Sequence, residues 1–222
     1  MRVIVVRHFR TVNNETRQIM GWGDAPPAED WEDDLRVVDE RLRATGLHFD
    51  AFYSSALGRA QETARYFADV RGRTDLHSEP AFNEVNYGDL FGRSKQSVEA
   101  SCPQYKKDPD FVFPGGESFH QMQRRSVDCL LRLETLHTGE NIFLVAHAGV
   151  IRGLICHCFG LDLEAHLRCK VSHQYIGDLS IENGVCVRYD ELGRPSGFVK
   201  DGVIQIPSVR GQTASRAASI PV

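Results

Sequence analysis

Two histidines of this 222-residue chain each follow a short apolar run directly. Arg7 and His8 come after Val3–Val6, and His147 comes after Ile142–Ala146. Short apolar runs rich in β-branched residues are typical of strands covered on both faces of a sheet. Ligands of open α/β sheets bind just beyond the carboxyl ends of the strands, so both imidazoles are candidates for one pocket.

The segment that follows the second histidine adds to this signal. Gly149, Val150, Ile151 and Arg152 begin a predicted helix, and the free N–H groups of a helix start attract anions. Neighbouring strands lie about 4.8 Å apart, so both imidazoles reach one pocket if their strands are adjacent. Either histidine alone is explained as a strand-end residue that hydrogen-bonds nearby. Two histidines at equivalent positions favour a shared anion site.

Arg59 is a third candidate, because it falls in the first turn of a predicted helix that follows Tyr53, Ser54 and Ser55. A cation there opposes the helix macrodipole, at a cost on the order of tenths of a kcal/mol. An anion held between the guanidinium and the helix end reverses that sign. The alternative is a weak surface ion pair with Glu62.

Alternating strand and helix patterns predict the elements that position these residues. Apolar runs predict strands at Val3–Val6, Ala51–Tyr53 and Asn141–Ala146, and spacings of three and four residues predict helices at Trp31–Ala44, Leu57–Val70 and Ser118–His137. Asn183-Gly184 between two β-rich runs predicts a hairpin that adds an antiparallel edge. The expected fold class is α/β, a three-layer α/β/α sandwich with a mostly parallel central sheet.

The length of the chain predicts a single domain over residues 1–210. Residues 88–117 hold Gly, Pro, Lys and Asp without clean periodicity, so we expect them to form a long surface excursion that acts as a lid or substrate loop. Residues 211–222 are small and polar and are predicted to form a loose tail.

Composition argues against several classes of protein. The 26 basic and 30 acidic residues give a formal charge of −4 without a basic stripe, so we expect no nucleic-acid partner. No apolar run is long enough for a membrane span, and the N-terminal run is too short for a signal peptide, so a cytoplasmic protein with reduced thiols is expected. Cys156, His157 and Cys158 do not have zinc-site spacing, so no metal is predicted. The sequence leaves a homodimer open.

Several spaced motifs together resemble a known family. They are Arg7-His8-x-x-Thr11-x-x-Asn14, Ser55-x-Leu57-x-Arg59-Ala60-x-x-Thr63-Ala64, Glu84 and His147-Ala148-Gly149-Val150-Ile151-Arg152. In this order they resemble the histidine phosphatase superfamily, in its phosphoglycerate mutase-like branch. The resemblance runs from Val3 to about Gly153. Met20-Gly21-Trp22-x-Asp24 also resembles the small-substrate loop of that branch.

The resemblance implies a role for each matched residue. His8 would be the nucleophile that forms a phosphohistidine, and Glu84 would be the general acid and base. Arg7, Arg59 and His147 would bind the phosphoryl oxygens, where the transition state spreads its charge. Phosphate and substrate contacts are expected from Asn14, Ala148, Gly21 and Trp22 as well. Neither a metal ion nor another cofactor is implied, and the expected partner is a small phosphorylated substrate.

The sequence departs from the family pattern beside the nucleophile and after the acid. Phe9 stands where the family usually has glycine, and its ring either narrows the pocket or points into the core. Arg10 follows in place of an acidic residue. Val85 and Asn86 replace the Arg-His pair of true mutases, so one handle for a second phosphate or carboxylate is missing.

These features favour a phosphatase that acts on a small phosphorylated metabolite. A phosphoglycerate mutase-type phosphotransferase and a non-catalytic phosphate-binding regulatory module remain as alternatives. Several residues are candidates to line the entrance of the pocket: Arg10, Arg17, Trp22, Arg93 and Lys95.

Overall fold

The strands and helices follow one another in the predicted alternation. The computed structural model describes residues 1–167 and 169–193, together with three short strands beyond them. The strands are β1 (Arg2–Arg7), β2 (Ala51–Ser54), β3 (Leu76–Ser78), β4 (Asn141–Ala146), β5 (Ile176–Glu182), β6 (Val185–Glu191), β7 (Val199–Lys200), β8 (Val203–Ile206) and β9 (Ala214–Ser215). The helices are α1 (Val12–Glu15), α2 (Trp31–Ala44), α3 (Gly58–Asp69), α4 (Lys95–Ser101), α5 (Phe119–Leu136), α6 (Ala148–Phe159) and α7 (Leu163–His166).

The main sheet has six strands in the order β3-β2-β4-β1-β5-β6. The first four are parallel, whereas β5 runs antiparallel to β1 and β6 runs antiparallel to β5. This arrangement confirms the predicted α/β class with a mostly parallel sheet and an antiparallel edge. The strands β7, β8 and β9 form a separate antiparallel sheet.

Side chains of β1 alternate between two hydrophobic clusters, as the period of a strand requires. Val3 and Val5 belong to the cluster that includes residues of α5 and α6. Ile4 and Val6 belong to the cluster that includes residues of α2 and α3. The sheet is therefore covered by helices on both faces, and its central strands read as continuous apolar runs for this reason.

The predicted boundaries hold where a local signal fixes them. The Ser118 side chain accepts the Gln121 amide and the Gln121 side chain accepts the Ser118 amide, so a capping box begins α5. At the β5–β6 turn, Asn183 and Gly184 have φ of 52° and 76°, the left-handed conformations that a tight hairpin turn requires. The predicted edge hairpin is therefore confirmed.

The segment at residues 88–117 is more ordered than its irregular sequence predicts. It contains a 3₁₀-helical turn at Gly88–Leu90 and the helix α4. Val98, Tyr105 and Phe113 are almost fully buried, and the Phe113 ring packs 4.9 Å from the ring of Tyr87. Apolar anchors with no regular spacing therefore hold this segment against the main domain.

In the described part of the chain, none of the helices combines the length and the apolar character that crossing a membrane requires. Within the predicted tail at 211–222, only β9 belongs to the described residues. It pairs with β8, and the rest of the tail lies outside what the structure describes.

Candidate active site

The two histidines identified from the sequence lie at the ends of adjacent strands. Arg7 on β1 pairs with Ala146 on β4, and the His8 amide donates to the Ala146 carbonyl at 3.0 Å. The ring centroids of His8 and His147 are 4.9 Å apart. The parallel register therefore brings both imidazoles to the carboxyl edge of the sheet, the position at which α/β folds bind ligands.

A single hydrogen bond fixes the tautomer of His8. Its Nδ1 lies 2.6 Å from the carbonyl oxygen of Phe9, which can only accept, so Nδ1 carries the proton and Nε2 keeps its lone pair. Burial, followed by the charge of Arg59, holds the pKa of His8 well below its usual value. The imidazole is therefore neutral at pH 7 and has a nitrogen that can attack phosphorus.

Ser55 orients His147 from the end of β2. The Ser55 Oγ accepts the Leu57 amide at 3.3 Å and lies 2.6 Å from Nε2 of His147. We assign the hydroxyl hydrogen to this second contact, which leaves the proton of His147 on Nδ1. This Nδ1 is buried and has no hydrogen-bond partner in the structure. Burial and Arg59 also lower the pKa of His147.

Arg59 is buried in the first turn of α3, and its guanidinium is held by the loop before α2. It donates to the carbonyl oxygens of Gly21 and Gly23, both at 2.7 Å. The Asp24 carboxylate accepts from Arg59 at 3.1 Å and from the Gly58 amide at 3.2 Å. Asp24 therefore supplies one anion between the guanidinium and the helix end, and Arg59 Nε is left without a hydrogen-bond partner. A surface pair with Glu62 is excluded by the burial of Arg59.

Arg7 contributes a second guanidinium, which is partly buried. Its Nη1 donates to the Val171 carbonyl at 2.6 Å, while its Nε has no partner. Burial and the charge of Arg152 lower the pKa of Arg7 to about 9. The group therefore remains cationic at pH 7, where it can pair with a phosphoryl oxygen.

Glu84 is positioned by main-chain amides and by the start of α6. Its Oε1 accepts from the Val85 amide at 3.0 Å and its Oε2 accepts from the Gly149 amide at 3.1 Å. A Cβ atom at Gly149 would lie 2.1 Å from Oε1, so only glycine allows this approach. The Glu84 carbonyl accepts from the Trp22 indole at 2.7 Å and from Arg125 at 2.9 Å.

Of these groups, Arg7, His8, Arg59 and Glu84 line a polar cavity of about 120 Å³. His147 contacts the ring of His8 but is not part of the described lining. Five cationic side chains line the cavity, together with a single carboxylate, that of Glu84, among the residues that the structure describes. The cations are Arg7, Arg59, Lys95, Lys106 and Arg152. His8, Asn14, Gly21 and Ala148 also belong to the lining. Such an excess of positive charge suits a ligand that carries more than one negative group.

Comparisons with known proteins agree with this geometry. A sequence profile described as the histidine phosphatase superfamily (branch 1) matches residues 3–188. The chain belongs to the histidine phosphatase superfamily. It is similar to two 2,3-bisphosphoglycerate-dependent phosphoglycerate mutases. The one from Brucella anthropi is 33% identical over 77% of this chain and 87% of its own. The one from Parvibaculum lavamentivorans is 30% identical over 89% and 93%.

A solved structure supports the same assignment. The α-ribazole phosphatase from Shigella flexneri superposes with a TM-score of 0.72 and is 25% identical. The superposition covers 84% of this chain and 93% of the Shigella protein. The resemblance to the phosphoglycerate mutase-like branch is thereby confirmed, with mutases and phosphatases among the similar proteins.

Two residues predicted to contact substrate in this histidine phosphatase superfamily member also make hydrogen bonds within the protein. The Asn14 Oδ1 accepts from the Thr11 amide and hydroxyl, both at 3.1 Å, and so caps α1 at the edge of the cavity. Trp22 is 47% exposed, and its indole nitrogen is occupied by the Glu84 carbonyl. Gly21 lines the cavity and holds Arg59 through its carbonyl oxygen.

The structure decides the position of Phe9 and separates the entrance candidates. The Phe9 ring is 1% exposed and lies 4.7 Å from the Trp31 ring, so it belongs to the core. Of the entrance candidates, Lys95 lines the cavity, whereas Arg93 donates to serines of α4. Arg10 lies in a neighbouring groove.

Sequence reasoning missed several residues of the site. Lys106 and Tyr105 reach the cavity from the irregular segment, where no periodicity places them. Arg152 follows Ala148 and Gly149 by one helical turn, so helix spacing could have placed it on the same face. His173 precedes β5 and lies 5.5 Å from His8, between ring centroids. Only the antiparallel pairing of β5 with β1 brings it there.

The cysteine-rich part of α6 does not form a metal centre. Cys156 is fully buried in the core, and His157 is exposed. Within residues that the structure describes, no group of three or more His, Cys, Asp and Glu is arranged to hold a metal ion.

Proposed function

We propose that this member of the histidine phosphatase superfamily is a phosphomonoesterase that uses a phosphohistidine intermediate. The observation that carries the proposal is the state of His8. Its imidazole is neutral, its proton is fixed on Nδ1, and it lines a cavity surrounded by cations. A nucleophile with a free lone pair and a site built for an anion are the two requirements for this chemistry.

In the first step, Nε2 of His8 attacks the phosphorus atom and the bond to the ester oxygen breaks. Glu84 donates a proton to the departing alkoxide. Arg7 and Arg59 bind the phosphoryl oxygens, and His147 donates from Nδ1. The guanidinium groups supply the positive charge that metal ions supply in other phosphoryl-transfer sites. Activity in excess chelator is therefore expected to equal that without it.

In the second step, water attacks the phosphohistidine. Glu84 removes a proton from the water, the phosphorus–nitrogen bond breaks, and the electron pair returns to Nε2 of His8. The products are inorganic phosphate and the alcohol. Glu84 suits both steps because two amides, those of Val85 and Gly149, hold its carboxylate beside the cavity.

The surroundings of Glu84 favour hydrolysis over mutase activity. The Val85 side chain is buried in the core, and the Asn86 side chain accepts the Gly88 amide at 3.0 Å. Neither residue carries a positive charge, so this pair provides no cation that could bind a second phosphate. The mutase alternative is supported by the similar mutases and by Lys95 and Lys106, which line the cavity. Retention of a bisphosphorylated intermediate would require such cations.

The discriminating experiment follows both products at once. The purified protein is given phosphomonoesters, including a chromogenic ester, and separately 3-phosphoglycerate with a catalytic amount of 2,3-bisphosphoglycerate. We expect phosphate release from monoesters without the bisphosphate, and an acid-labile phosphoenzyme in rapidly quenched samples. Isomerisation that depends on the bisphosphate would favour the mutase, and binding of phosphate without turnover would favour the regulatory module.

The nucleophile is tested by His8→Ala, with the exposed His157→Ala as the matched control. We expect the His8 variant to lose phosphate release by at least a thousandfold and to form no phosphoenzyme. The His157 variant should keep both. Retained activity in a pure, folded H8A sample would overturn the assignment of the nucleophile.

A further inference from the structure

A second groove, distinct from the catalytic cavity, adjoins it. Its volume is about 540 Å³, and it shares Arg7 and Arg152 with the cavity. It is also lined by Arg10, Lys170 and His173. The proposed phosphomonoesterase reaction uses none of these last three. Arg10 is also one of the two residues after the nucleophile that depart from the family pattern.

The groove contains polar atoms that lack partners. The Nε atom of Arg10 and the Oγ of Ser172, two residues that line the groove and not the cavity, are buried and have no hydrogen-bond partner in the structure. Each of them carries a hydrogen and can donate. Unsatisfied buried polar groups are rare in folded proteins because each costs free energy, so two on one groove indicate a ligand that accepts hydrogen bonds.

The charges of the groove indicate the sign of that ligand. Four cationic side chains line it, and Asp34 is the one carboxylate of its described lining. Asp34 accepts from the Gln174 side chain at 2.7 Å and lies 3.8 Å from Arg10 Nε. Arg10 is fixed further by donation to the Glu29 carbonyl at 3.1 Å. Arg10 Nη1 also lies 3.6 Å from Glu15 Oε1. The guanidinium is therefore held in place, while its buried Nε makes no hydrogen bond.

We propose that this groove is a second anion site, which binds a phosphate or carboxylate group through Arg10, Lys170 and Ser172. Arginine presents a fork of donors that suits either group, and Lys170 adds an exposed point charge. The proposal depends only on the residues of the groove, so its test does not depend on which phosphoryl-transfer reaction the protein catalyses.

An anion in the groove would act on the catalytic cavity through shared groups. Arg7 and Arg152 face both spaces, so negative charge in the groove reduces their attraction for a phosphate bound beside His8. The His173 Nδ1 lies 2.8 Å from the His8 carbonyl and its ring contacts the His8 ring. Occupancy of the groove is therefore expected to raise the KM of the reaction, because ground-state binding in the cavity weakens.

The experiment titrates the full chain with inorganic phosphate and follows ¹⁵N resonances of the histidine rings and arginine Nε groups. We expect Arg10 Nε and His173 to shift along one saturation curve, separate from that of His8. Lys170→Gln, an exposed substitution that leaves the fold intact, should weaken the affinity of the groove about threefold, and Arg10→Gln should weaken it about tenfold.

Arg65→Gln on α3 is the matched control, because it removes one exposed positive charge far from the groove. It should leave both saturation curves unchanged. The proposal is overturned if Arg10 Nε and His173 do not shift, if they follow the His8 curve in every variant, or if R65Q weakens binding as much as K170Q does.

Steady-state kinetics distinguish two sources of the anionic group. If the group belongs to the substrate, K170Q should raise the KM of substrates that carry a second anion and leave that of phenyl phosphate unchanged. If the group is a free ion, added sulfate should raise the KM of phenyl phosphate in the parent, and K170Q should reduce this effect. A KM that responds in neither way would contradict the coupling through Arg7 and Arg152.

Discussion

At the scale of single residues, Phe9 serves the site through its backbone and the core through its ring. Its carbonyl fixes the proton of His8, and its amide donates to the Thr63 hydroxyl at 3.0 Å. The ring packs on Trp31 in the cluster below the sheet edge. Glycine at this position would keep both backbone bonds, so the chain gains packing without changing the nucleophile.

This division of roles predicts the effect of Phe9→Ala. Removal of a fully buried aromatic ring should lower the free energy of unfolding by about 3–5 kcal/mol. The kcat of the protein that remains folded should stay close to that of the parent. Urea unfolding and chromogenic assays measure the two quantities. Phe91→Ala is the control, because Phe91 is 50% exposed and its loss should cost much less. A large fall in kcat with little change in stability would place the Phe9 ring in the substrate pocket.

Glu84 provides a second prediction at this scale. In Glu84→Gln the amide oxygen can still accept one of the main-chain hydrogen bonds, but the side chain no longer transfers a proton. The kcat should fall by about 10²–10⁴-fold for alkyl phosphates and much less for activated aryl phosphates, whose leaving groups need no proton. The exposed Glu62→Gln on α3 serves as control. Equal losses for both substrate classes would argue against the acid role.

At the scale of elements, the site could be predicted where it depends on parallel strands. The apolar runs before His8 and His147 imply buried strands, and adjacent parallel strands end at the same edge. Helix signals are equally local, since the Ser118 capping box and the Asn183-Gly184 turn mark their own boundaries. Arg59 and the segment from Ala148 to Arg152, both part of the branch pattern, lie on such elements, whereas Glu84 lies in a loop.

The remaining parts of the site depend on tertiary contacts that no local pattern encodes. Lys106 stands in a segment anchored by scattered apolar residues, and His173 reaches His8 only through the antiparallel edge of the sheet. The partner of Arg59 is similarly distant, because Asp24 comes from a loop with no regular structure. Sequence spacing predicts an anion near this guanidinium but does not identify it.

Lys106, in the segment that follows the 3₁₀ turn at Gly88–Leu90, leads us to expect that substrate binding depends on pH. Burial, with the charges of Arg152 and Lys95, lowers the pKa of Lys106 to about 8. As pH rises from 7 to 8.5, the charged fraction of Lys106 falls by about fourfold. The KM of substrates with a second anionic group should rise by a similar factor, while that of phenyl phosphate should not.

Lys106→Met tests the assignment of this pH dependence. The variant should already have the raised KM at pH 7, and the rise between pH 7 and 8.5 should disappear. The neighbouring exposed residue gives the control Lys107→Met, which should retain the parent profile. If K106M keeps the parent dependence, another group is responsible for it.

At the scale of the whole molecule, cationic side chains and neutral histidines lie together at the carboxyl edge of the sheet, although the net charge of the protein is negative. The formal net charge is −4, but five cationic side chains line the cavity and four line the groove, and Arg7 and Arg152 belong to both. A local field of this kind attracts anions and also opposes protonation of nearby bases. The cations that attract the ligand therefore also add to the effect of burial, which is the main reason that the pKa of His8 is low.

The low pKa values of the histidines at the site make the stability of the fold depend on pH. The pKa values of His8, His147 and His173 are all held well below the usual value of 6.5, first of all by burial. Below pH 6.5 the unfolded chain binds these protons and the folded chain does not. The free energy of unfolding should therefore keep its full value above pH 6.5. Below that pH it should fall by about 1.4 kcal/mol per pH unit for each such histidine.

His173→Asn isolates one histidine of this set without removing the nucleophile. Its unfolding free energy is measured by urea denaturation between pH 7.5 and 5. The fall per pH unit should be smaller than that of the parent by the contribution of one histidine, about 1.4 kcal/mol. The exposed His157→Asn controls for the loss of a histidine as such and should keep the parent slope. If H173N were as steep as the parent, the pKa of His173 would be the same in the folded and unfolded chains, which would contradict the lowering by burial.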